Sequence, residues 1–184
     1  MKGNRAVLIA VVIVLVLAVG WWLFRRSGPA TTIRFIDRFA EAKKQPDNAE
    51  LYSIVEATLN GETKRSLAIG PTIGTRLTWR ITVPDDGWLS VHLGLKPEAW
   101  TQEGDGVLFF VGVSDGRAFE PMFTQHVNPF SNPGDRKWIQ VMVDLSAYAR
   151  EEVDVIFNTR SGQPDKADVR GDLPLWGQPE IVQR

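Results

Sequence analysis

The sequence predicts a mainly β protein: an antiparallel two-sheet jelly-roll sandwich behind one N-terminal transmembrane helix. Three observations predict it. Ala6 to Phe24 is a run without a charge, a side-chain amide or a hydroxyl. From Tyr52 onward, apolar and polar residues alternate with a period of two, the pattern of half-buried strands. Turn signals such as Asn60-Gly61 and Pro84-Asp85-Asp86-Gly87 divide those alternating runs.

The apolar run comes first. A helix rising ~1.5 Å per residue needs about 20 apolar residues to cross a hydrocarbon core of ~30 Å. Ala6–Phe24 meets that requirement and no later segment does. Trp21 and Trp22 stand at its C-terminal edge, where indole rings favour the lipid headgroup level, and Arg25 and Arg26 follow within reach of lipid phosphates. A cleaved signal peptide has an apolar region of only about 7–15 residues and a small-x-small site. This run ends instead in Trp-Trp-Leu-Phe-Arg-Arg. A core helix of a globular protein would show a polar face, and this one has none.

Orientation is set by two opposing signals. Lys2 and Arg5 precede the run, while Arg25, Arg26, Arg34, Arg38, Lys43 and Lys44 follow it. Charge alone favours a cytoplasmic C-terminal part, but long translocated segments largely escape the positive-inside rule, and short tails stay inside more often. The C-terminal part is therefore expected to be extracytoplasmic. The organisation expected is a tail over 1–5, a membrane helix over 6–24, a juxtamembrane linker and short helix over 25–50, and a β-sandwich over 51–184.

Four of the 21 Lys and Arg residues lie before residue 27 and all 22 Asp and Glu lie after it. The remainder is thus net acidic, which argues against a nucleic-acid surface. There is no cysteine, so disulfides, thiolate zinc sites and thiol nucleophiles are excluded. No Asn-x-Ser/Thr acceptor is present.

Ser27 to Thr32 reads as a linker. Over Ile33–Lys44, Ile36, Phe39 and Ala40 share one helical face, Thr32 is a suitable N-cap and Lys43-Lys44 suits the C-terminal dipole. The spacing predicts a short amphipathic helix packed on the domain, with Arg34 and Arg38 at lipid headgroups as the alternative. Gln45-Pro46-Asp47-Asn48 ends it. Asn60-Gly61 then joins strands Tyr52–Leu59 and Glu62–Ile69 in a hairpin. Leu77, Trp79, Ile81 and Val83 form the buried side of the next strand, and Leu89, Val91, Leu93 and Leu95 that of its successor. Val107–Val113 is nearly continuous in apolar residues and is expected to be central. Ala118–Val127, Trp138–Leu145, Val153–Thr159 and Leu175–Val182 complete the strands. Faces apolar on one side need a second sheet to cover them. Three loops interrupt the meander: Lys96–Asp105, Asn128–Lys137 and Arg160–Leu173.

An ordered set of motifs carries a family resemblance. It runs through Gly61–Arg65, Leu77–Pro84, Leu93-Gly-Leu-Lys-Pro-Glu-Ala-Trp100, Gly104-Asp-Gly-Val-Leu-Phe109, Asn132-Pro-Gly-Asp-Arg-Lys-Trp138, Val143-Asp-Leu-Ser-Ala-Tyr148 and Trp176-Gly-Gln-Pro179. In this order, from Leu51 to Val182, the chain resembles the galactose-binding-like jelly-roll domains of bacterial envelope proteins. The resemblance implies a β-sandwich and suggests a carbohydrate or other envelope ligand, without carrying an activity. Domains of this type often hold a structural calcium, for which Asp105, Asp115, Asp168, Asp172 and Glu180 are the oxygen donors on offer. Their spacing matches no EF-hand loop, Asp115 reads more simply as a turn residue, and no metal or other cofactor is assigned.

Of seven tryptophans, Trp21 and Trp22 belong to the membrane and Trp79 to the core. Trp138 and Trp176 begin strands and are expected to cap the sandwich; Trp88 follows a turn and stays open. Trp100, in the loop beside Gln102 and Glu103, is the candidate for stacking on a sugar, with loop packing as its competing role. His126, Asn128 and Arg136 complete the candidate ligand-binding set. His92 points outward from its strand, and neither histidine sits in a metal-binding spacing. No nucleophile elbow, phosphate loop or dinucleotide fingerprint appears. The expected function is a non-catalytic, membrane-anchored binding module for glycan, the alternative being an adaptor that docks on another membrane or envelope protein.

Overall fold

The computed structural model describes residues 33–70, 74–162 and 168–184. The apolar run Ala6–Phe24, with Trp21, Trp22, Arg25 and Arg26, lies outside them. Among the described residues no helix is long and apolar enough to cross a membrane.

Among the described residues, eleven strands make two antiparallel sheets. They are β1 (Ile33–Arg34), β2 (Lys43–Gln45), β3 (Tyr52–Leu59), β4 (Glu62–Ile69), β5 (Gly74–Thr82), β6 (Gly87–Leu95), β7 (Val107–Ser114), β8 (Phe119–Val127), β9 (Ile139–Asp144), β10 (Glu152–Ser161) and β11 (Pro174–Gln183). One sheet has the order β3-β4-β11-β6-β9, with β1 also paired to β11; the other has the order β2-β5-β10-β7-β8. The β3–β4 hairpin has the expected limits, and Asn60 and Gly61 both take positive φ (49° and 82°). That matches the twist of a two-residue hairpin turn.

Alternation decides which side chains enter the core. Leu77, Trp79 and Ile81 of β5 face Leu89, Val91, Leu93 and Leu95 of β6 across the interior. Five aromatic rings fill the middle. Phe35 lies 4.9 Å from Trp79 and 5.1 Å from Phe157, and Trp176 lies between Phe157 and Phe109, at 4.8 and 5.0 Å. Trp176 is fully buried, so it is a central core residue and not a cap. Trp138 packs on the outer face of the six-stranded sheet with Leu59, Ala68 and Leu175. Its Nε1 donates to Glu62 O at 2.9 Å, and the ring rests where Gly94 and Gly177 leave room.

The helix expected over Ile33–Lys44 is absent. Ile33 pairs with Ile181, Phe39–Glu41 is a single 3-10 turn, and Lys43–Gln45 pairs with β5. An isolated helix of that length is marginal in water, whereas both sheets offer backbone partners along β5 and β11. Phe35, off the expected helical face, enters the aromatic centre instead, and the Trp79 Nε1 donates to Arg38 O at 2.9 Å. Strand β7 is interior, but β10 holds the middle of its sheet.

Candidate functional site

The two loops that carry the sequence-derived candidates meet. The Trp100 Nε1 donates to Leu95 O at 3.2 Å, and its ring packs against the Leu59–Trp138 cluster. Arg136 donates to Pro129 O at 2.9 Å and to Trp100 O at 3.2 Å. Asn128 is buried; its Oδ1 accepts from Phe130 and Ser131 N–H, and its Nδ2 donates to Gly104 O. His126 Nε2 contacts Asp105 O at 2.7 Å. The structure therefore gathers Trp100, His126, Asn128 and Arg136, but their polar atoms bond backbone and splint the loops together. Elsewhere, Trp88 lies under Arg184 at 4.6 Å. Half-buried His92 is held below the ordinary imidazole range by burial and by nearby Lys64.

A second place has more of its chemistry unspent. On the outer face of the five-stranded sheet, register aligns Arg76, Asn158 and Phe110 across β5, β10 and β7. The next row of that face carries Ile156 and Gly112. A Cβ on Gly112 would collide with the Phe119 ring. The missing side chain thus lets Phe119 fold over the strand as a wall, 58% exposed. The resulting groove has a volume of about 490 Å³. Arg160 completes it, its guanidinium carbon 5.1 Å from the Phe110 ring centroid. The Asn158 Oδ1 is buried in the structure and has no hydrogen-bond partner among the described residues. Such an acceptor is costly unless something donates to it.

No family model matches the sequence. Over 102 residues the chain is 39% identical to an uncharacterized protein of Archaeoglobus fulgidus, covering 55% of this chain and 25% of that one. The chain thus spans about a quarter of that relative's length. Among solved structures, it is similar to the K1 cleaved adhesin domain of Lys-gingipain from Porphyromonas gingivalis (TM-score 0.53, 12% identity, 85% of this chain and 98% of that one). The K2 cleaved adhesin domain of Lys-gingipain gives a TM-score of 0.52 at 14% identity, covering 84% of this chain and 99% of that one. A CBM51 module from Clostridium perfringens GH95, solved with methyl-galactose, gives a TM-score of 0.50 at 12% identity, over 82% of this chain and 99% of that one. The fold shared with these structures is the two-sheet antiparallel β-sandwich expected from the sequence.

Of the five oxygen donors, two lie apart from the rest. Asp115 Oδ1 accepts from Arg117 and Ala118 N–H in its turn, and Glu180 lies 3.8 Å from Arg34. Asp168 is held at 2.6 Å by Arg170, which pulls its carboxyl down to about 2. Asp172 is buried, and neither of its oxygens has a hydrogen-bond partner among the described residues. Burial pushes it up to about 7, with repulsion from Asp105 and Asp168 adding to the shift. No group of three or more His, Cys, Asp or Glu side chains able to hold a metal occurs among the described residues.

Sequence reasoning passed over the groove because its residues sit on outward positions of strands that read as ordinary. The available signal was the apolar continuity of Val107–Val113. Its outward half, Leu108 and Phe110, is partly exposed and is not needed by the core.

Proposed function

We propose that this protein is a non-catalytic carbohydrate-binding module, anchored in the membrane by Ala6–Phe24, whose sandwich lies on the extracytoplasmic side. The observation that carries this reading is the groove on the five-stranded sheet. Phe110 and Phe119 offer aromatic surface to the C–H faces of a sugar, and Asn158 offers a buried acceptor to its hydroxyls. Among the described residues the groove lining has no carboxylate, imidazole or thiol, the groups that most often move protons or attack as nucleophiles. The likeness to a module solved with methyl-galactose is consistent with this ligand class, although a fold alone does not fix function. The loop cluster of Trp100, His126, Asn128 and Arg136 is the second candidate surface for the same ligand.

The test is glycan-array binding by the full chain in an uncharged, sugar-free detergent. Wild type is expected to bind, and Phe119→Ala to lose binding at an unchanged melting temperature. Silence across the array would sink the reading. Protease treatment of intact cells tests the orientation, and protection of the C-terminal domain would overturn it.

One observation favours the adaptor reading. Strand β3 runs eight residues along a sheet edge, and such an edge can accept a partner strand. Cross-linking in membranes would give a defined heteromeric product if this edge docks a protein, and monomer only if it does not.

A further inference from the structure

Resting on the carbohydrate reading, we infer that the groove is built for an acidic polysaccharide, its uronate carboxylates held by Arg76 and Arg160. Charge is the first ground. Arg76 and Arg160 both line the groove; among the described residues its lining includes no acid, and neither arginine has an ion-pair partner. Several arginines elsewhere on the sandwich are ion-paired. Arg80, further along β5, lies 3.2 Å from Glu152 and 3.3 Å from Asp154; Arg150 is 2.7 Å from Asp85 and Arg65 is 3.2 Å from Asp37. Two unpaired guanidiniums beside an aromatic wall and an open acceptor are placed for a ligand.

Register is the second ground. Arg76 stands opposite Asn158, and Arg160 is two residues further along the same face of β10. Diagonal neighbours of this kind are about 7–8 Å apart, close enough for two long side chains to reach one anion. Their mutual repulsion is relieved when an anion enters between them. Stacking on an aromatic face, as Arg160 does over Phe110, leaves the N–H edge of a guanidinium free to grip a planar two-oxygen group.

The third ground selects the ligand. A free inorganic anion would satisfy the arginines but ignore Phe119 and bring no hydroxyl for Asn158. A neutral sugar would use the ring and the amide but leave two cations unmatched. A uronate unit supplies a C–H face, hydroxyl donors and a planar carboxylate together. Bulk attraction does not account for such binding, because the chain after residue 26 is net acidic. Recognition has to come from the local pair and weakens as salt rises.

The experiment measures binding of the full chain, in an uncharged sugar-free detergent, to immobilised polygalacturonate, alginate and hyaluronan. Each is compared with the same polymer after its carboxylates are reduced to alcohols. The carboxylated forms are expected to bind at least about tenfold tighter, the scale of one charge-assisted contact. Arg76→Gln and Arg160→Gln should each erase that preference while keeping the binding to the reduced polymers. If Arg76→Gln lowers the melting temperature, Arg76→Lys replaces it; retaining the charge but not the fork, it should keep part of the preference. Equal or tighter binding to the reduced polymers overturns the inference and leaves the carbohydrate reading standing. Tighter binding to dextran sulfate than to every carboxylated polymer overturns the choice of carboxylate. Silence toward both forms and toward the neutral array overturns both readings.

Discussion

The Phe157 ring and the Trp176 indole stack across the sandwich, their centroids 4.8 Å apart and their planes inclined by 19°. The two residues belong to β10 and β11, so this one contact joins the two sheets at their middle. Trp176→Ala removes the ring that also meets Phe109, and should destabilise the domain by about 3–5 kcal/mol. Urea denaturation of wild type and variant measures the loss; a cost near zero would mean that the sheets are held elsewhere.

Gly177→Ala tests the outer face of the six-stranded sheet. The new Cβ would stand 2.9 Å from Trp138 Cζ3 and 3.2 Å from Lys64 Cδ. The lysine stem can move aside; the indole is held by its bond to Glu62 O. A loss of about 1–3 kcal/mol is expected from this overpacking. The Trp138→Ala background should remove most of the increment, because contacting residues are not additive. Full additivity in that cycle would place the strain somewhere other than the ring.

Asp172 makes stability depend on pH in the direction opposite to an ion-paired carboxylate. Its folded-state value is raised to about 7 by burial and by the charges of Asp105 and Asp168, against an ordinary 3.8. Between those values the unfolded chain releases the proton and the folded domain keeps it. The contribution is therefore fully present below the ordinary range and is lost as pH rises through about 7. Asp172→Asn should flatten the profile and raise the melting temperature relative to wild type at about pH 8 more than at about pH 5. An equal shift at both pH values would contradict the assignment.

Arg136→Ala separates the loop cluster from the groove. Its bonds to Pro129 O and Trp100 O join two loops, and their removal should cost about 1–3 kcal/mol. Thermal melts measure this. A variant that melts like wild type and loses glycan binding would move the ligand surface from the groove to the loops.

The parts legible in the sequence are those where local chemistry and tertiary demand agree. Asn60-Gly61 accepts positive φ at both positions, and the hairpin limits follow from it. Leu77, Trp79 and Ile81 alternate, and all three are buried. Ile33–Lys44 went the other way because a helical spacing of apolar residues says nothing about the free strand edges nearby. Trp176 looked like a strand-opening cap because sequence distance from a turn does not reveal depth in a core. The four loop candidates meet in space, while their hydrogen bonds to backbone became visible only with the loops in contact. The groove was least legible of all. Arg76, Phe110, Asn158 and Arg160 become neighbours only through the pairing of β5, β10 and β7, and the hollow at Gly112 is the absence of a side chain.

The burial of Phe35 bears on how portable this sandwich is. Its ring comes from a segment ahead of the long strands, yet it is fully buried beside Trp79 and Phe157. A graft that began at residue 51, where the regular alternation starts, would carry a phenylalanine-sized hole at its centre and an unmatched indole N–H. To transplant as a self-sufficient unit, the domain must take along the eighteen residues that precede that point, from Ile33 onward.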